Sequence, residues 1–243
     1  MTFLVNGACG RMGQAMLRCI REKLPEVETV GIDLSSDGYR QLSDYPGRAD
    51  CVIDFSHHTA AGALTEYCCA TGTPLVIATT GHSEAELALI SEAAKKIPVF
   101  HAANMSLGIA LLLRLAKQTA RLFPDADIEI VEIHHNQKLD APSGTALALA
   151  QAIREVRPAA TLVPGRSGHA KRQKDDIGIH ALRMGNVVGI HEVHVCTGTQ
   201  TITLRHEAHD RSLFADGALD AARFLLGKPA GLYQMPDLLK EES

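Results

Sequence analysis

A short apolar run, Thr2-Phe-Leu-Val-Asn6, leads at once into Gly7-Ala-Cys-Gly-Arg-Met-Gly13 and then into the helix-forming stretch Gln14 to Arg21. Strand, glycine turn and helix in that order are the context that a dinucleotide-binding fingerprint requires. Gly7 would allow the tight turn, Gly10 would let the backbone approach a pyrophosphate, and Gly13 would let the helix pack closely on the strand. The spacing is G-x-x-G-x-x-G, a variant of the commoner G-x-G-x-x-G, with Cys9 in a slot where glycine is more usual. A second strand, Thr29 to Ile32, ends in Asp33, about where an acidic residue holds a ribose 2′-hydroxyl. A glycine triplet alone also describes an ordinary turn; its position, its flanks and Asp33 favour the dinucleotide.

The pattern then repeats. After an aperiodic stretch from Leu34 to Ala49, read as a surface connection, strands are expected at Cys51 to Ser56, Pro74 to Ala78 and Pro98 to Asn104. Helices are expected between them, at Thr59 to Ala70 and Ser83 to Lys96. Apolar runs alternating with helices mean βαβ units and a parallel sheet covered on both faces. Ligands of such sheets bind beyond the carboxyl ends of the strands, where Phe55-Ser56, Thr79-Thr80 and Ala103-Asn104 fall. The fold class expected is α/β: a Rossmann-like domain, followed by an α+β domain with a mixed sheet.

That second half starts with a long helix, Leu107 to Leu122. Ile128 to Ile133 alternates apolar and polar residues as a half-buried strand does. Glu132-Ile-His-His-Asn-Gln-Lys-Leu-Asp-Ala-Pro-Ser-Gly-Thr145 follows, and Ala146 to Ile153 is a strong helix former. Two histidines, a lysine and an aspartate thus sit where a strand ends and a helix begins. Gly144 and Thr145 offer backbone N–H donors at the positive end of the helix dipole, and Lys138 adds a full charge. The spacing points to an anionic substrate handled by acid–base chemistry; the plain alternative is a helix capped by Ser143 next to a solvated loop.

Three more strands are expected at Ile177 to Met184, Val187 to Thr197 and Gln200 to His209, joined by short glycine turns of the hairpin kind. A helix from Ser212 to Gly227 and an irregular tail with a short helical end, 229 to 243, complete the chain. His180, His191, His194, His206 and His209 cluster in the strands. His191 and His194, three apart on a strand, point to opposite faces, so no metal site is expected and most are read as surface or interface residues. The polar stretch Gly165 to Asp176 is read as a solvated loop or a mobile basic lid over an acidic ligand.

Composition excludes other classes of function. With 243 residues, a net charge of -4, no basic run and no tryptophan, nothing suggests nucleic acid as a partner. The longest apolar stretch, Leu107 to Leu113, is too short to span a bilayer. There is no basic and apolar leader, and the six cysteines form no C-x-x-C pair, so a cytoplasmic protein is expected. On the residues alone, two other readings stay open. One is a redox sensor that binds a dinucleotide without turnover, which would need neither Lys138 nor the histidine pair. The other is a dehydrogenase of a linear amino acid or aldehyde, such as homoserine dehydrogenase.

The chain resembles the 4-hydroxy-tetrahydrodipicolinate (dihydrodipicolinate) reductases of lysine and diaminopimelate biosynthesis. Gly7 to Gly13 looks like that family's G-x-x-G-R-M-G motif, and Glu132 to Thr145 looks like its specific signature E-x-H-H-x-x-K-x-D-A-P-S-G-T. Asp54-Phe-Ser56, Thr79-Thr-Gly81, Ala103 to Gly108 and Arg166 to His169 add lesser matches in order, over nearly the whole chain. The resemblance implies an NAD(P)H-binding domain from residues 1–105 and 211–243, and a substrate-binding and tetramer-forming domain from 106–210. It implies His134 as proton donor and acceptor, Lys138 as proton donor, and His135, Gly144 and Thr145 as substrate ligands. The cofactor would be lined by Gly7, Ala8, Cys9, Gly10, Arg11, Met12, Asp33, Ala78, Thr79, Thr80, Ala102, Ala103, Asn104 and Met105. The substrate implied is a cyclic imine dicarboxylate, reduced in a homotetramer with no metal. Asp33 favours NADH, with NADPH the alternative donor. Departures are Cys9, the short segment after Asp33, and Gly189-Ile190-His191 where the family usually has G-E-H.

Overall fold

The computed structural model describes residues 1–239. In chain order they form β1 (Thr2–Asn6), α1 (Arg11–Lys23), β2 (Glu28–Ile32), β3 (Cys51–Asp54), α2 (Ala61–Thr71), β4 (Leu75–Ile77), α3 (Glu84–Ala93) and β5 (Pro98–His101). There follow α4 (Leu107–Leu122), β6 (Asp127–His134), α5 (Gly144–Arg154), β7 (Thr161–Pro164), β8 (Asp176–Arg183), β9 (Gly189–Cys196) and β10 (Thr201–Ala208). The last elements are α6 (Ser212–Leu225), β11 (Gly231–Tyr233) and α7 (Met235–Leu238). They divide into two compact units: Met1–Leu107 with the chain from Arg211 onward, and Gly108–Asp210 between them.

The first unit is a six-stranded parallel sheet in the order β11-β5-β4-β3-β1-β2. Phe3, Leu4, Val5, Val52, Ile53, Leu75, Val76 and Ile77 have no exposed surface, as strands covered on both faces require. α1 buries Gly13, Met16, Cys19 and Ile20, one stripe at helical spacing. α3 starts in a capping box, with Ser83 and Glu86 exchanging bonds with each other's backbone N–H. The strand order reverses between β1 and β3, the switch point at which open α/β sheets bind ligands.

The second unit is a five-stranded mixed sheet in the order β10-β9-β6-β8-β7, with α4 and α5 over one face. Ile128 and Ile130 of β6 pack there with Leu112, Ala116, Leu149 and Ile153. Glu132 and His134 continue the same buried face. The strand's inner face therefore changes from apolar to ionisable over its last two inward positions.

Four local expectations are corrected. The glycine turn at Gly185-Asn186 does not close a hairpin: β8 and β9 both pair with β6, which lies between them. The turn instead crosses the end of β6, where Asn136 N–H donates to the Gly185 carbonyl at 3.1 Å and Met184 N–H to the His134 carbonyl at 2.9 Å. β7 was not expected. The stretch from Leu34 to Ala49 is not all surface, since Leu42 and Ala49 are buried. The tail is less irregular than read, because β11 adds a strand beside β5; residues 240–243 of that tail lie outside the described residues.

Candidate active site

At the end of β6, one carboxylate organises everything around it. Glu132 is fully buried, and its Oε2 lies 2.5 Å from His134 Nδ1. Its Oε1 accepts the Ser143 N–H at 3.0 Å, which fixes the residue before α5. Arg183, at the end of β8, donates to both oxygens, Nη1 to Oε2 at 2.9 Å and Nη2 to Oε1 at 2.8 Å. The same guanidinium donates to the Asp140 carbonyl at 2.6 Å, so it also holds the loop that carries Lys138. Removing one partner from such a buried pair typically costs about 3–5 kcal/mol, because the other charge is left unpaired.

The chain reaches α5 through a cis Ala141–Pro142 bond. Ser143 caps the helix, its Oγ accepting from Ala146 N–H at 3.3 Å. Gly144 opens α5, and no heavy atom lies within 4 Å of where its side chain would begin. That open space over a helix start suits an anion. Lys138 pairs with Asp140 at 2.8 Å and is near enough to act on His134 electrostatically. His135 is half-buried, and its carbonyl accepts the Lys138 N–H at 3.2 Å.

Burial sets the protonation states here. It pushes His134 below the ordinary imidazole range; bonding to Glu132 offsets this in part, while Lys138 and Arg183 press the same way as burial. Burial pushes Glu132 upward, but Arg183, His134 and the Ser143 N–H outweigh it and hold the carboxyl below its usual value. His191 is pushed down to about 4 by burial and then by the nearby His134. The corner therefore holds an ionised carboxylate beside neutral imidazoles at neutral pH.

In the first unit, the glycine loop is shaped by close approach. Gly7 has φ +79°, and a β-carbon there would lie 2.8 Å from the backbone of Phe55 and Ser56, beyond β3. A β-carbon on Gly13 would lie 2.1 Å from the Gly7 carbonyl oxygen, so only glycine lets α1 start this near β1. Gly10 is the residue before α1 and is exposed. Asp33 accepts the Cys9 N–H at 3.0 Å and the Ser35 N–H at 2.9 Å, one on each oxygen. A cavity of about 900 Å³ opens here, lined by Gly7, Gly10, Asp33, Arg40, Ser56 and Tyr67 among others.

The remaining expected cofactor residues divide. Ala8 is buried, whereas Cys9 and Arg11 are exposed and Met12 is half-buried. Ala78, Thr79 and Thr80 follow β4, where Thr79 Oγ1 donates to the buried Asp54 carboxylate at 2.5 Å. Ala102, Ala103, Asn104 and Met105 follow β5; Asn104 accepts the Ser106 N–H at 2.9 Å, and Met105 is buried. Neither segment lines the cavity, although both lie along the same sheet edge.

Glu132 lies in the signature but had no role read for it, and two corner residues, Arg183 and His191, lie outside the signature altogether. Arg183 gives no local signal, because it meets Glu132 across 51 positions of chain. His191 was grouped with surface histidines, and that is corrected: it is 4% exposed, its Nε2 lies 3.2 Å from Ser143 Oγ, and its ring meets that of His134 edge-on. A signal was available in the sequence, since His191 shares the alternate positions of Val193 and Val195, the apolar face of a strand. Among the described residues no group of three or more His, Cys, Asp or Glu is placed to hold a metal ion. None of their helices is long and apolar enough to cross a membrane. In the polar stretch after β7, Arg166 pairs with Asp176 at 2.9 Å and Arg172 with Asp127 at 2.7 Å.

Residues 1–105 match the family model described as dihydrodipicolinate reductase, N-terminus, and residues 108–239 the one described as its C-terminus. The chain is 45% identical to the 4-hydroxy-tetrahydrodipicolinate reductase of Caldanaerobacter subterraneus subsp. tengcongensis, over 98% of each chain. It is 41% identical to that of Alkaliphilus metalliredigens, over 98% of this chain and 99% of the relative. Among solved structures it resembles a dipicolinate-bound dihydrodipicolinate reductase from Paenisporosarcina sp. TG-14, with a TM-score of 0.78 and 26% identity. That likeness covers 96% of this chain and 97% of the other.

Proposed function

The chain belongs to the dihydrodipicolinate reductase family, and from that membership we propose that it reduces 4-hydroxy-tetrahydrodipicolinate to tetrahydrodipicolinate, with loss of water, in lysine and diaminopimelate biosynthesis. It is an oxidoreductase that uses a nicotinamide cofactor. The observation that carries the reading is the corner at the end of β6, where His134, the Lys138 loop and the start of α5 are tied to one buried carboxylate. A cyclic imine dicarboxylate needs a cationic corner for a carboxylate and groups that move protons beside it. Gly144 and Thr145 would hold one carboxylate by their N–H groups at the helix start. His135 would contribute to binding the same substrate.

The glycine turn fits a dinucleotide: its backbone is bare where a pyrophosphate must approach, and it opens on the same cavity as Asp33. Gly7 to Met12 and Asp33 would hold the adenine and phosphate half, and Ala78 to Thr80 with Ala102 to Met105 the nicotinamide half. When bound, the cofactor supplies the hydride. Lys138 gives the proton that the ring takes up after reduction. His134, held neutral by burial, accepts or returns a proton as water leaves. The first unit is thus the dinucleotide-binding domain and the second the substrate domain, whose sheet joins four copies. Asp33 favours NADH, because each of its oxygens keeps acceptor capacity for a ribose hydroxyl. Arg40, whose Nε donates to the Leu34 carbonyl at 3.0 Å, lines the same cavity and tempers the exclusion of a 2′-phosphate.

The test is oxidation of NADH, and separately of NADPH, with the condensation product of pyruvate and aspartate semialdehyde. Turnover with kcat/KM higher for NADH is expected. No turnover with either donor removes the reaction, and a preference for NADPH removes the ribose contact of Asp33.

A further inference from the structure

Glu132 receives four donors: Ser143 N–H, both Arg183 Nη groups and His134 Nδ1. An ionised carboxylate is acceptor-only, so the ring nitrogen facing it must carry hydrogen, and a neutral ring then has Nε2 as its acceptor. Whether Glu132 is ionised depends on its own partners, for a buried carboxyl without a cation takes up a proton. Protonated, it would donate to Nδ1 and move the ring hydrogen to Nε2. Arg183 is the cation that decides between these states. Its fork is itself fixed by the Leu182 carbonyl at 2.7 Å and the Asp140 carbonyl at 2.6 Å. On the other side of the ring, the backbone of β9 leaves room: a β-carbon on Gly189 would come 3.1 Å from His134 Nε2.

We propose that Arg183, acting through Glu132, is a positioning residue that fixes His134 as the imidazole with hydrogen on Nδ1, so that Nε2 is the nitrogen that exchanges a proton with substrate. The last clause rests on the reaction proposed above; the tautomer does not. The charged and titratable groups facing the ring are Glu132 on β6, Lys138 on the following loop with its partner Asp140, Arg183 on β8 and His191 on β9, with His206 of β10 paired beyond His191. Of these, Glu132 alone bonds Nδ1, and Arg183 alone bonds Glu132 with a full positive charge. Partners that orient a metal-bound histidine from behind typically cost about 10–100-fold in affinity or activity when removed, and a similar loss is expected for a histidine that moves protons.

The experiment is nitrogen NMR of ¹⁵N-histidine-labelled, full-length protein without substrate, at a pH where His134 is neutral, with the resonance assigned by its loss in His134→Gln. The wild type should show the hydrogen on Nδ1. Arg183→Met should shift it to Nε2 and lower kcat about tenfold or more, with KM for NADH within twofold, and Arg183→Lys should restore part of both. Hydrogen on Nε2 in the wild type overturns the proposal, and that measurement does not depend on Arg183→Met folding. An unchanged tautomer in Arg183→Met overturns it whatever the activity. A switched tautomer with kcat within twofold overturns the role of Nε2. Because the spectra are read without substrate, failure of the wild type to reduce the substrate would strike the proposed reaction and leave the tautomer assignment standing.

Discussion

Lys138 and His191 show how differently two basic residues serve one corner. Lys138 sits on the loop after β6 and is held by Asp140 at the edge of solvent. If it gives the proton after reduction, Lys138→Ala should lower kcat about a hundredfold or more, since general acid catalysis is typically worth that much. NADH affinity should be nearly unchanged, because the glycine loop is in the other unit; steady-state kinetics at saturating substrate would show a loss of only a few-fold if the role is wrong. His191 is buried and neutral, and its Nδ1 has no hydrogen-bond partner among the described residues. Its folded pKa of about 4 lies below the ordinary imidazole value of 6.5. The unfolded chain therefore binds a proton first as pH falls, so this stabilisation is complete above 6.5 and is lost on the way down to 4. Roughly 2 kcal/mol of it should be gone by pH 5. Urea unfolding at pH 7 and 5 should show that loss, and His191→Gln should reduce the difference. An equal drop in both proteins would assign the pH dependence to other groups, His134 and His101 among them.

Single elements were readable where their signal is local. β1, the glycine turn and α1 follow from consecutive residues, and so do the buried alternation of β6 and the cap of α5 at Ser143. What escaped depends on partners far along the chain. Gly185-Asn186 has the composition of a hairpin turn, yet β6 separates the strands on either side, and no local residue records that. β7 is four partly exposed residues ending in a proline, and β11 is three residues that become a strand only beside β5. Arg183 was missed for the same reason as the false hairpin. The close fit of α1 yields a direct test: Gly13→Ala puts a methyl group 2.1 Å from the Gly7 oxygen, against backbone that cannot yield without moving the helix. A loss of about 1–3 kcal/mol in stability is expected from overpacking of this kind. A rise in KM for NADH should accompany it, and unchanged thermal stability and KM together would show that the loop is slack.

At the scale of the molecule, the helices of the second unit, among the described residues, cover one face of its mixed sheet. Glu129, Val131, Ile133, His180, Leu182, His194 and Thr203 lie on or beside its other face or edges, and Leu182 and Met184 are exposed. A homotetramer formed through residues 177–209 should give a light-scattering mass four times the 26.1 kDa of one chain at micromolar concentration. A monomer mass would remove the proposal. The path of the chain has a separate consequence. It leaves the first unit after Leu107 and re-enters it at Arg211, and α6 packs on α1, β3, β4 and β5 while β11 completes the sheet edge. On a ribosome the interposed unit therefore emerges whole while its host still lacks two helices and a strand. The glycine loop's own layer can close only after the chain beyond Arg211 has been made, so the unit begun before the insertion is finished after it.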